Sequence, residues 1–293
     1  MAWLCFFVLA GSSPALTKKG MIQIKGSDTM VNLIQILAES FMAKHPGTPI
    51  AVLGGGSGTG IAALINGTCE IANISREISE KEARMAVGRG ASPTLFVIAI
   101  DGLTVVVNAS NTVDELSVDQ IGAVYRGEIT NWKAIGGPDM RISLYGRQSN
   151  SGTYVFFQEF VLGNQDYSPQ MKQMNGNAQI IEGIIKDKAG IGYVGVGYIL
   201  NLKTGEVRKG LKVLDVSKDP HSDVYSPLDE KAVEKGDYPI VRALYQVTRE
   251  KPQGGVLDFL KFVTGPEGQK IVAEEGFFPI SSLQRTANER NLK

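Results

Sequence analysis

The chain has 293 residues, 43% of them hydrophobic and 20% charged, with Lys+Arg and Asp+Glu balanced at 30 each. That length is enough for two domains or lobes, and the neutral balance gives no basis for a broad nucleic-acid or membrane-binding surface. Past the N-terminal segment no apolar run is long enough to span a bilayer.

Residues 1–15 differ in character from the rest of the chain. A compact apolar run at residues 3–10 leads into Gly11-Ser12-Ser13-Pro14-Ala15, whose small residues at 13 and 15 suit signal-peptidase cleavage. No Lys or Arg precedes Lys18, so the segment reads as a secretory signal truncated at its start, with a buried helix as the alternative. Export implies a soluble mature chain in the periplasm or another extracytoplasmic space. Cys5 would leave with the signal, and Cys69 then stands alone as a small buried hydrophobe.

Strand-like runs occupy residues 21–25, 49–53, 70–74, 95–108, 140–145, 211–216 and 238–248, with helical patterns between them. This alternation predicts an α/β protein. The first strand meets Gly26-Ser27-Asp28-Thr29 and then the helical series Met30, Leu33, Ile34, Leu37 and Phe41. The second meets Gly54-Gly55-Gly56-Ser57-Gly58-Thr59-Gly60 and a short apolar helix, and the fifth meets Arg147-Gln148-Ser149-Asn150-Ser151-Gly152-Thr153 before residues 155–162. Segments 96–108 and 239–247 are longer than one typical strand, so each can carry the chain between lobes. The predicted boundaries are 16–100 plus 242–293 for one lobe and 101–241 for the other.

A helix start offers unpaired N–H groups and a positive dipole end, so hydroxyls and glycines there can wrap an oxyanion. Any one such motif is also an ordinary N-cap. The glycine load at 54–60 goes beyond capping, because it removes side chains along a whole loop, as backbone approach to a ligand requires.

Enzyme signatures are mostly absent. The chain contains no Gly-Lys pair for a P-loop, and Ser57 lacks the glycine of a nucleophile elbow. Gly58-Thr59-Gly60-Ile61-Ala62-Ala63 matches a dinucleotide pattern only loosely, and Lys203-Thr204-Gly205 reads as a turn. His45 and His221 have no Cys or His at ligand spacing, so neither a metal nor another cofactor is expected.

Taken together, Gly26 to Met30, Gly54 to Gly60, Glu70-Ile71-Ala72-Asn73-Ile74-Ser75-Arg76, residues 121–132, Arg147 to Thr153, Ala189-Gly190-Ile191-Gly192-Tyr193-Val194 and Gly276-Phe277-Phe278-Pro279-Ile280 resemble a known family. It is the phosphate-binding subunit of bacterial phosphate ABC importers, the Pst-type periplasmic binding protein. The resemblance implies a two-lobed type II periplasmic-binding-protein fold with two crossover strands. It also implies a cleft that closes on inorganic phosphate, a membrane ABC permease as partner, a monomer, and no catalysis. The family's phosphate contacts fall on Thr29, the backbone of Met30, Ser57, Arg147, Ser151, Gly152 and Thr153, with Ser27 and Ser75 completing the candidate set. Two positions depart from the family pattern. Ser75 stands where many members carry a proton-accepting aspartate, and Ser149 stands where an aspartate often pairs with the arginine. Asp28 is the nearest candidate proton acceptor by sequence, with helix capping as its other reading. The competing functions are a receptor for sulfate, molybdate or tungstate, and an enzyme handling phosphate or a dinucleotide.

Overall fold

The computed structural model describes residues 20–201 and 204–293. The signal-like segment, Cys5 and Lys203 lie outside the described residues. The chain first lays down β1 (Ile22–Gly26), α1 (Val31–Lys44), β2 (Ile50–Leu53), α2 (Ser57–Ile65), β3 (Ile71–Ile74), α3 (Glu80–Gly88) and β4 (Thr94–Gly102). A second body comes next: β5 (Thr104–Asn108), β6 (Glu115–Ser117), α4 (Val118–Arg126), β7 (Ser143–Arg147), α5 (Gly152–Phe160), β8 (Lys172–Met174), α6 (Asn177–Lys186), β9 (Gly190–Val194), β10 (Leu211–Val213), β11 (Asp215–Ser217), β12 (Val224–Tyr225) and α7 (Glu230–Lys235). The chain then returns through β13 (Val241–Thr248) and ends in α8 (Gly254–Thr264), α9 (Pro266–Glu274) and α10 (Ser282–Leu292).

The strands form two five-stranded sheets, ordered β2-β1-β3-β13-β4 and β10-β5-β9-β7-β8, and a small sheet β12-β11-β6. Each large sheet has a parallel trio, β2-β1-β3 in the first and β9-β7-β8 in the second. Antiparallel pairings complete both: β3-β13 and β13-β4 in the first, β9-β5 and β5-β10 in the second. Strands β3, β5 and β9 are buried along their whole length, as strands covered on both faces must be. Helix α1 turns Leu33, Ile34, Leu37 and Phe41 inward, onto a core containing Ile24, Ile71, Phe96 and Phe259. The second body has its own core, including Val105, Val107, Tyr125, Trp132, Phe157 and Tyr193.

The run 95–108, a strand-like stretch long enough from sequence to pass between lobes, is two strands in different sheets, β4 and β5, with the chain crossing at Leu103. The Leu103 N–H donates to Ile240 O at 2.8 Å, so the outgoing and returning crossings are hydrogen-bonded to each other. The run 211–216 likewise divides between the second and third sheets as β10 and β11. Strands β6, β8, β9 and β12 are not evident from sequence. Three of them are two or three residues long, and β9 carries Gly190 and Gly192, which weaken any strand signal. Packing explains the second glycine: a Cβ on Gly192 would lie 2.5 Å from Ile180 Cγ2 of α6.

Candidate anion site between the lobes

The predicted site residues lie at the carboxyl ends of parallel strands, where open α/β sheets bind their ligands. Ser27, Asp28, Thr29 and Met30 come after β1, Gly54 to Gly56 after β2, and Ser75 after β3. From the second sheet, Arg147 ends β7, and Ser151 caps α5 through its Oγ, which accepts from the Thr153 and Tyr154 N–H groups. Ser57 is the first residue of α2, and Gly152 the first of α5, so two helix N-termini meet here.

The hydroxyls form one buried cluster. The Ser27 hydroxyl donates to Ser75 Oγ at 2.9 Å, and Ser57 Oγ lies 3.3 Å from the same oxygen. The Ser75 N–H donates to Ser57 Oγ at 3.1 Å. Across the cleft, Thr29 Oγ1 and Thr153 Oγ1 share a hydrogen bond of 3.0 Å. All of these side chains, with Ser151, are buried. The Met30 N–H donates to Ser27 O at 3.1 Å, a turn that holds the first loop in place.

Arg147 supplies the charge, although it is only 1% exposed. One terminal nitrogen, Nη2, donates to Asp28 Oδ2 at 2.6 Å and to Asn175 O at 2.9 Å. Nε and Nη1 are buried without a protein partner. Buried donors are normally satisfied, so the orphaned N–H groups on Nε and Nη1 leave the guanidinium with donors free for an oxyanion. The Arg147 main chain is fixed as well, its N–H donating to Tyr193 Oη at 3.2 Å. Burial pushes the Tyr193 hydroxyl up to about 12, which keeps it neutral and able to donate its own proton to Tyr167 Oη at 3.2 Å.

Several bonds join the two sides. Asn150 Nδ2 donates to Gly55 O at 2.9 Å, the Gly58 N–H donates to Asn150 O at 3.1 Å, and the Tyr198 hydroxyl donates to Asp28 O at 2.7 Å. Glycines make this approach sterically feasible. A Cβ on Gly152 would sit 2.3 Å from Ser57 Oγ and 2.7 Å from Ser75 Oγ, and Gly56, at φ +88°, would press one within 2.6 Å of Asn150 O.

Asp28 does not cap α1, whose N-cap is Met30 with no side-chain cap bond. Its Oδ1 accepts from the Gly55 N–H at 2.7 Å and its Oδ2 from Arg147. Ser149, at the position where an acidic partner is usual, is exposed, and the arginine pairs with Asp28 instead. Sequence reasoning misses two residues that bond across the cleft. Asn150 sits inside the recognised motif without a signal of its own, and Tyr198 is far away in the chain and carries no local signature.

A family model described as a PBP superfamily domain matches residues 11–267. The phosphate-binding protein PstS of Staphylococcus saprophyticus is 31% identical over 290 residues, covering 96% of this chain and 88% of the relative. The chain belongs to the PstS family. Another PstS phosphate-binding protein, from Pseudomonas aeruginosa, is 28% identical over 278 residues, covering 89% of this chain and 83% of the relative. Among solved structures, a Clostridium perfringens protein described as a phosphate ABC transporter substrate-binding protein with bound phosphate superposes with TM-score 0.77. It is 26% identical, and the match covers 89% of this chain and all (100%) of that one. An ABC-type phosphate transport receptor from Vibrio cholerae gives TM-score 0.69 at 27% identity, over 88% of this chain and 100% of that one. The fold is thus the two-lobed type II architecture of this PstS family.

Proposed function

We propose that this chain is an extracytoplasmic receptor that closes on inorganic phosphate and delivers it to an ABC permease, working as a monomer and without a catalytic step. The observation that carries this reading is the buried Arg147, with Nε and Nη1 unpartnered beside a cluster of buried hydroxyls contributed by both lobes. Hydrogen bonds to a charged group are each worth roughly 1.5–3 kcal/mol, so seven or eight exceed the ~8 kcal/mol of a micromolar complex and leave a surplus against desolvation and closure. The near-complete burial of these groups favours a small anion with no organic substituent. Both nearby carboxylates, Asp28 and Asp101, are already engaged by arginines, which supports a receptor over an enzyme needing a free base. Among the described residues no helix is long and apolar enough to cross a membrane, and none of their His, Cys, Asp and Glu side chains group as a metal site would require.

Calorimetry of phosphate-stripped protein against phosphate, arsenate, sulfate and molybdate tests the assignment. Phosphate and arsenate should bind, with sulfate and molybdate at least a hundredfold weaker. Sulfate or molybdate binding as tightly as phosphate would move the chain to the other oxyanion receptors.

A further inference from the structure

A second buried ion pair lies behind the hydroxyl cluster. Arg242 of β13 and Asp101 of β4 are direct cross-strand partners at the end of the sheet where both strands pass between the lobes. Arg242 Nε and Nη2 fork onto Asp101 Oδ2 at 3.0 and 2.7 Å, with both side chains buried. The remaining nitrogen, Nη1, donates to the carbonyl of Ser75 at 3.1 Å. On its other oxygen, Asp101 accepts the Val196 N–H at 2.9 Å, just past β9 of the second sheet. The Arg242 guanidinium also lies 5.4 Å from the ring centre of Phe156 on α5, the helix that begins with Gly152 and Thr153.

We infer that Arg242, held by Asp101, is a positioning residue for the anion site: it clamps the Ser75 peptide and references both lobes to the point where the chain crosses. This rests on the phosphate reading above and assigns no contact between Arg242 and the anion. The Ser75 peptide is held from both ends, its N–H by Ser57 Oγ and its C=O by Arg242, which fixes where Ser75 Oγ stands against Ser27 and Ser57. A planar guanidinium fork can hold a carboxylate and a carbonyl together, which a lysine ammonium cannot reproduce. Stability alone gives weak reason for such a pair, since well-packed apolar replacements for buried ion pairs are often neutral or stabilising. Its bonds go instead to the site loop and to the second lobe.

The test uses the full chain, stripped of phosphate, with inorganic phosphate as the titrant. Arg242→Lys should bind phosphate about tenfold more weakly than wild type while remaining folded by circular dichroism. Val263→Ala, a cavity in buried α8 away from the site, should lower the melting temperature and leave affinity unchanged. If Arg242 acts through Ser75, the Arg242→Lys and Ser75→Ala losses should fall short of multiplying by at least threefold in the double variant. Arg242→Gln, which cannot pair as an ion, provides a second cycle. Wild-type affinity in a folded Arg242→Lys, or losses that multiply fully with Ser75→Ala, would overturn the positioning role. A wild-type chain that takes up no phosphate would overturn the receptor reading itself, whatever the variants do.

Discussion

Asp28 and Arg147 meet across the cleft, Oδ2 to Nη2 at 2.6 Å, although one comes after the first strand of one sheet and the other ends a strand of the other sheet. The same carboxylate holds the Gly55 N–H through Oδ1. One acidic side chain therefore orients the arginine, tethers the glycine loop and joins the lobes. A charge-assisted bond of this kind exists only when the two sides are together.

Arg147→Ala should weaken phosphate binding by at least tenfold in a protein that still folds, because it removes the buried charge and its two unpartnered donor nitrogens. Arg147→Lys should recover little, since a lysine ammonium has one nitrogen and cannot hold Asp28 and Asn175 O while presenting further N–H groups from a fixed plane. Titration calorimetry with circular dichroism reads both, and near wild-type affinity in Arg147→Ala would remove this residue from the site.

Asp28→Asn keeps the shape of the side chain and loses its charge. With both oxygens already accepting donors, the expected outcome is a roughly tenfold weaker affinity for phosphate and arsenate through a poorly held Arg147. Competition titrations at neutral pH separate this from a proton-reading role. A phosphate-to-sulfate ratio that collapses in the variant would make Asp28 the acceptor for the hydrogen of hydrogen phosphate, which sulfate lacks.

Gly152→Ala should oppose closure. The added methyl meets Ser57 Oγ and Ser75 Oγ of the facing lobe, while Gly152 has no positive φ that alanine would strain. Wild-type protein should contract in small-angle scattering on adding phosphate, and at a hundredfold excess over Kd gain about 2.7 kcal/mol of stability. The folded variant should not contract, and at the same phosphate concentration it should be stabilised less than wild type. A variant that contracts and is stabilised like wild type would mean the lobes do not meet as described.

Cys69 is buried, and that burial pushes its thiol up to about 12, with the Lys25 charge opposing and Glu70 reinforcing the shift. At pH 8 roughly one molecule in ten thousand would carry the thiolate, the form that reacts. Iodoacetamide should leave Cys69 of the native chain unlabelled, as read by peptide mass spectrometry, and modify it fully in denaturant. The thiol also makes stability depend on pH: above about pH 8.5 the unfolded thiol ionises while the folded one does not, so this contribution is lost as pH rises. Stoichiometric labelling of Cys69 in folded protein at pH 8 would contradict the buried thiol.

The cradles are readable in the sequence because their information is local: a strand followed by Gly, Ser and Thr, then a helical stripe, as at Gly26 to Thr29 and Arg147 to Thr153. Arg147 stands out for the same reason. Its partner does not, because Asp28 lies 119 positions away and its own neighbours suggest a helix cap. The length of 95–108 already suggests a passage between lobes, but the position of the break is hidden, because Val105, Val106 and Val107 continue the apolar run past Gly102 without a turn signal and only pairing shows where the sheet changes. Arg242 pairs with Asp101 over 141 positions, so nothing near either residue marks them as joined.

The place of β13 also bears on how the chain comes to exist. This strand lies between β3 and β4 and pairs with both, yet it begins at Val241, after the second body is complete. A chain emerging from its N-terminus can assemble residues 104–235 as a contiguous unit while β3 and β4 wait with bare edges. Such edges invite pairing with other chains, and closing a sheet over so long a separation is slow. The last strand to appear is thus the one that both completes a sheet and covers the facing edges of β3 and β4, so protection during synthesis matters most before Thr248 has been made.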